Sequence, residues 1–71
     1  MKQSDMILAY MREYGSITPW EALREIGCMR LGARIYDLRM AGHEIHAENV
    51  RQKNRWGRTV CYAKYTLGGN G

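Results

Sequence analysis

The stretch from Thr18 to Gly42, TPWEALREIGCMRLGARIYDLRMAG, decides the fold. Thr18, Pro19 and Glu21 together form a helix start. A threonine hydroxyl accepts from the third helical amide, proline costs nothing where its missing N–H would have had no partner, and glutamate reaches back to the cap amide. The helix that opens here is predicted to run to about Ile26, with Trp20, Leu23 and Ile26 as its apolar set, before Gly27 stops it. A second helix begins near Cys28 to Arg30 and reaches Met40 or Ala41. Its Leu31, Ile35 and Leu38 recur at i, i+4 and i+7 and form a buried stripe, and Gly42 caps its end. Gly32 costs this helix roughly 1 kcal/mol against alanine, and its bare backbone permits close approach by another helix or by DNA. Two short helices joined by a tight glycine turn, the second carrying Arg30, Arg34 and Arg39, read as a helix-turn-helix.

Upstream, Met6, Ile7, Tyr10, Met11 and Tyr14 recur at helical spacing. Ser4 is placed to cap this first helix, with Asp5 near its positive end, and Gly15 to close it in the left-handed conformation. Ser16-Ile17 is a short extended link, available as a third, very short strand. Downstream of Gly42 the period changes. Ile45 and Ala47 share one face of a strand, and Thr59 to Leu67 alternates as another, with Cys61, Ala63, Tyr65 and Leu67 on one side and Val60, Tyr62 and Lys64 on the other. Between them Arg51 to Arg58, RQKNRWGR, reads as the hairpin loop, with Asn54 and Gly57 as its turn residues. The order predicted is α+β: three helices followed by a two-stranded antiparallel hairpin. Residues 1–67 form the domain, and 68–71 are expected to be a frayed tail.

Charge is unevenly spread. The net charge is +4, but residues 1–27 hold three cations against four acids, while residues 28–71 hold eight against three. A basic half of this kind points to an acidic polymer, and to nucleic acid before membrane. The apolar fraction of 45 % without a single Phe leaves Leu, Ile, Met, Tyr and Trp to fill one small core. At this size such a core rarely leaves more than ~3–5 kcal/mol of net stability, enough for a binding surface but for only a modest pocket. No apolar run approaches the ~20 residues that span a bilayer, and the first residues lack the pattern of a signal peptide, so the chain is expected in the cytoplasm.

With these elements placed, the chain resembles a family of small phage and prophage winged-helix proteins. The run carrying the resemblance is SITPWEALREIGCMRLGARIYDLRMAG, from Ser16 to Gly42, followed by the basic loop and a final Tyr65-Thr66-Leu67. The resemblance spans Ser4 to Leu67 and implies a winged helix-turn-helix that binds DNA. Helix 29–41 would be its reading element and the hairpin loop its wing, with no catalytic residue and no cofactor. Trp56, at the wing tip, has no counterpart in that pattern.

Taken residue by residue, Arg30 and Arg34 lie four apart and share a face turned away from the buried stripe, with Ala33 and Asp37 on or beside it. A recognition helix puts such positions against base edges, where arginine can bond guanine through two hydrogen bonds. The plain alternative is an Arg34–Asp37 pair on a solvated face. Arg39, nearer the helix end, suits the dipole or an acid as well as it suits DNA. Arg51, Lys53, Arg55 and Arg58 put four cations in eight residues without an acid, which would serve phosphates or the minor groove. Trp56 is expected to pack at the core edge, or else to stack on a sugar or base. Trp20, Tyr10, Tyr14 and Tyr65 read as core or core-edge residues.

Cys28 and Cys61 read as small reduced core residues. With His43 and His46 they supply zinc-type ligands, but at C-x14-H-x2-H-x14-C the short Cys-Cys spacing of a zinc site is missing, and no metal is expected. No phosphate-binding glycine loop, paired-carboxylate pocket or nucleophile-base pairing appears, so no enzyme or small-molecule substrate is expected. The partner expected is double-stranded DNA, in the hands of a phage or prophage regulator or an excisionase-like architectural factor. A homodimer or cooperative neighbours would lengthen its short site. The competing readings are a protein-interaction module on the same scaffold, such as a phage-encoded inhibitor of a host protein, and RNA binding.

Overall fold

The computed structural model describes residues 2–68. The chain forms α1 (Gln3–Tyr14), β1 (Ser16–Ile17), α2 (Pro19–Glu21) continuing into a π-helical turn (Ala22–Ile26), α3 (Leu31–Met40), β2 (Ile45–Lys53) and β3 (Thr59–Leu67). The strands make one antiparallel sheet in the order β1-β3-β2. The third strand foreseen at Ser16-Ile17 is present, with Ser16 opposite Thr66 and Ile17 opposite Tyr65.

The helix starts differ in kind. Thr18 caps α2 as its sequence requires: its hydroxyl accepts from the Glu21 amide at 3.3 Å, and the Glu21 carboxylate accepts from the Thr18 amide at 3.0 Å. At α1 the expected cap at Ser4 is not used. The helix begins two residues earlier, with Lys2 in the cap position and no side-chain cap, because the first backbone bond runs from the Met6 amide to the Lys2 carbonyl. Tyr10 of α1 donates to the Glu21 carboxylate at 3.2 Å and so ties the first two helices together. Partial burial, followed by this hydrogen bond and the nearby carboxylates, raises its phenol pKa above the ordinary value.

The π turn corrects the face expected for the second helix. Its Gly27 amide reaches back to the Ala22 carbonyl, five residues away, and this wider turn brings Ala22 fully into the core. Trp20 at 64 % and Leu23 at 43 % exposure are left outside, and Ile26 is half-buried. Ala22 and Ile26, four apart, make the inward face, and the small alanine lies outside the expected apolar set. By contrast α3 keeps regular spacing, and Leu31, Ile35 and Leu38 are all buried. It ends in a paired motif, with the Gly42 amide on the Arg39 carbonyl and the His43 amide on that of Leu38. Ala41 is therefore the cap, and Gly42 is the left-handed residue just beyond it, with φ of 102°.

Ile7, Leu8, Met11, Ile17, Ala22, Cys28, Leu31, Ile35, Leu38 and Ile45 make one core, with Tyr10, Ile26, Tyr65 and Leu67 packed against it. Tyr14 and Trp20 do not join it. Cys28 is buried but Cys61 is exposed, because it lies at the tip end of β3, before the strand reaches the body, so only one of the two cysteines is a core residue. Gly68 is buried and donates to the Glu44 carbonyl at 2.7 Å, so the first residue of the expected tail is engaged. The rest of that tail, residues 69–71, lies outside the described residues.

Candidate nucleic-acid interface

Two surfaces hold the residues that the charge pattern selects. The first is α3. The left-handed Gly27 and the buried Cys28 turn the chain sharply into it, and Arg30 occupies the cap position at its start, exposed and without a side-chain cap of its own. With Leu31, Ile35 and Leu38 pinned inward, the opposite side is made by Ala33, Tyr36, Asp37 and Met40, all exposed. Arg34 falls on the flank of this face rather than at its centre. It is half-buried, its Nε lies 3.5 Å from Asp37 Oδ2, and its side chain is still 38 % exposed. That contact is an ion pair without the alignment of a hydrogen bond, since Nε has no hydrogen-bond partner. Arg34 and Asp37 are thus brought together as the plain reading foresaw, but at the edge of the outward face.

Arg39 has a different task. Its Nε and one terminal nitrogen donate to the Ile45 carbonyl at 3.2 and 2.8 Å, which locks the end of α3 to the start of β2. Tyr36, 62 % exposed in the middle of the outward face, is absent from the residues that charge selects. The helical wheel that defines the buried stripe also defines its opposite, and that signal would have found it.

The second surface is the hairpin. All nine positions of β2 pair with β3, from Ile45 opposite Leu67 to Lys53 opposite Thr59. The expected loop of 51–58 is therefore too long: Arg51, Gln52 and Lys53 are strand residues, and the connection is 54–58 alone. Their polar composition hides a ladder whose hydrogen bonds come from backbone and not from side chains. The turn is stiff. Asn54 Oδ1 accepts from the Trp56 and Arg58 amides at 3.0 and 3.1 Å, the Asn54 amide donates to the Arg58 carbonyl at 2.8 Å, and Gly57 takes φ of 78°. Arg51 and Lys53, two apart on a strand, share one face, while Arg55 and Arg58 flank the tip.

From residue 46 to residue 61 every side chain is exposed except half-buried Val50 and Asn54, so the hairpin stands clear of the body. Among the described residues, none of Arg30, Arg51, Lys53, Arg55 and Arg58 makes an ion pair or a side-chain hydrogen bond. Trp56 does not pack at the core edge as expected. It is 76 % exposed, and the Arg55 guanidinium lies over its ring, 4.9 Å from the centroid. The hairpin is too long and too far from the body for its tip to fold back.

Between the α2 start and the hairpin runs an apolar groove of about 520 Å³, lined among others by Trp20, Leu23, Met29, Leu31 and Tyr62. Among the described residues no three His, Cys, Asp or Glu side chains converge to hold a metal, and no helix is long and apolar enough to cross a membrane.

No curated protein and no solved structure matches the chain. A family described as the winged helix-turn-helix domain matches residues 2–70, which takes in all three helices and the whole hairpin. That family's fold points to DNA as the partner, and the chain belongs to the winged helix-turn-helix family.

Proposed function

We propose that the protein is a non-enzymatic double-stranded DNA binder that reads the major groove with α3, which spans Leu31–Met40 of the expected helix 29–41 with Arg30 as its cap, and holds phosphates and the minor groove with the wing, 51–58. The observation that carries this reading is the set of unpartnered cations: Arg30 at the start of α3 and four more on a hairpin that stands free of the body. Unpaired cations on a rigid projecting element gain little from the protein and much from a phosphate backbone that releases its counterions. Asp37 supports the role of Arg34, because an arginine already held on its own helix loses less freedom on meeting a base edge. The finer role we propose is that of a phage or prophage transcriptional regulator or an excisionase-like architectural factor, working on the DNA of a bacterial cytoplasm. A homodimer or cooperative neighbours would extend its short site.

Titration of labelled duplex at two salt concentrations tests this. Binding is expected to weaken steeply with salt, with a log–log slope of about −4 if each wing cation neutralises one phosphate. Absence of binding at low salt overturns the reading, and preference for RNA over duplex in competition replaces it with RNA binding. A second reading draws on the apolar groove, whose Trp20, Leu23 and Met29 are all exposed: a protein-interaction module on this scaffold. Capture of a host protein that nuclease treatment leaves intact, by a chain that binds no duplex, would favour it.

A further inference from the structure

We infer that Trp56 is a stacking wedge, carried by the wing into the minor groove of duplex DNA, where it inserts at a base step and bends the helix. This rests on the DNA-binding reading above and adds a residue, a contact and a mechanical consequence to it.

Four observations converge. Trp56 is the most exposed aromatic of the chain at 76 %, on a segment where a misplaced indole has no core to hide in. Its backbone is not free to wander, because the Trp56 amide is bonded to Asn54 Oδ1 and the Gly57 amide to the Asn54 carbonyl at 3.0 Å each. One face of its ring is covered by the Arg55 guanidinium, which leaves the opposite face for a partner and sets a positive charge beside it. The surrounding residues Arg51, Lys53, Arg55 and Arg58 carry four positive charges with no acid among positions 49–61. An anionic lipid surface would also accept an indole among cations, but the winged helix-turn-helix family favours DNA. A groove walled by phosphates and floored by stacked bases explains both.

The other exposed tryptophan makes the contrast. Trp20 lines an apolar groove with Leu23 and Met29, and so has hydrophobic neighbours of its own. Trp56 has a cation instead. Apolar wedges that enter the minor groove unstack one base step and kink the duplex toward the major groove. Pyrimidine–purine steps open at least cost, so sequence preference would arise at a position where no hydrogen bond is made.

The test uses the whole chain with Trp20→Phe, which leaves Trp56 as its sole indole. Adding duplex is expected to quench Trp56 emission and to shield it from acrylamide. Trp56→Ala is expected to weaken duplex binding by roughly ten- to a hundred-fold, with Trp56→Phe retaining most of the affinity. End-to-end energy transfer on a labelled duplex should show a bend with the parent chain and a nearly straight duplex with Trp56→Ala. Because Trp56 is exposed, both variants are expected to melt like the parent, which separates lost contact from lost fold. Binding with unchanged Trp56 emission, a Trp56→Ala affinity within two-fold of the parent, or stronger quenching by single strands than by duplex would each overturn the wedge while leaving DNA binding in place. Absence of duplex binding by the parent chain would overturn both.

Discussion

Arg34 and Arg39 on the helical body are engaged by the protein, one by Asp37 and the other by the Ile45 carbonyl, whereas the side chains of Arg51, Lys53, Arg55 and Arg58 on the hairpin make no ion pair or hydrogen bond among the described residues. The same kind of side chain thus has two kinds of freedom. On α3, Arg34 and Arg39 are held by groups of the protein, and a held arginine suits the discrimination of base edges proposed for Arg34. On the hairpin the cations are loose point charges, suited to a phosphate backbone that looks alike at every step. The two regions also differ in how they are stabilised. The body buries its apolar stripe, while the hairpin beyond residue 46 relies on backbone pairing and a hydrogen-bonded turn.

Substitutions that separate the two regions test this division, and the largest effect should come from the core. Ile35→Ala, at a position 1 % exposed, is expected to cost about 2–5 kcal/mol. That is comparable to the net stability of so small a domain, so a thermal melt followed by circular dichroism should show it largely unfolded at room temperature. A variant that melts like the parent would break the claim that α3 is pinned by its stripe.

Next comes Arg34→Ala, expected to remove about 1–3 kcal/mol of discrimination between the preferred duplex and random duplex while leaving random binding little changed. Site selection from random duplexes, followed by paired titrations, measures it. Equal weakening on every sequence would move Arg34 to the phosphate-holding group and erase the distinction between body and hairpin.

Thr18→Ala removes one half of the reciprocal cap and should cost about 1 kcal/mol of stability in urea unfolding, without altering the salt slope of binding. The smallest effect is expected from Arg55→Ala, which should weaken all duplexes about equally and flatten the salt slope by about one unit. A change in base preference there would mean that Arg55 itself contacts a base edge.

Much of this was legible along the chain, and particular residues show where legibility stopped. Thr18, Gly27 and Gly42 act through their own backbone and near neighbours, so their roles as cap and as left-handed residues could be read directly. The same holds for Leu31, Ile35 and Leu38, whose spacing is a property of one regular helix. Residue size misleads about the face of the second helix, because its largest apolar residues, Trp20 and Leu23, stand outside while the small Ala22 is buried. The extent of the hairpin could not be read, since RQK looks like a loop by composition and becomes strand only by pairing with Thr59–Cys61. Of the candidate contact residues, Arg30, Ala33, Asp37, Arg51, Lys53, Arg55, Trp56 and Arg58 stand exposed, while Arg34 is half-buried on the flank and Tyr36 takes the centre.

By itself, then, the amino-acid sequence determined the order of elements, the Thr18 start and the glycine stops of its helices and the concentration of positive charge in its second half, because these depend on local backbone preference, periodicity and composition. Tertiary structure alone decided that the hairpin cations stand free of the body, that Cys61 lies outside the core, and that Trp56 faces solvent beside Arg55. Those outcomes depend on how far β2 and β3 run together before they turn, a distance set by partner strands and not by any residue's own preference.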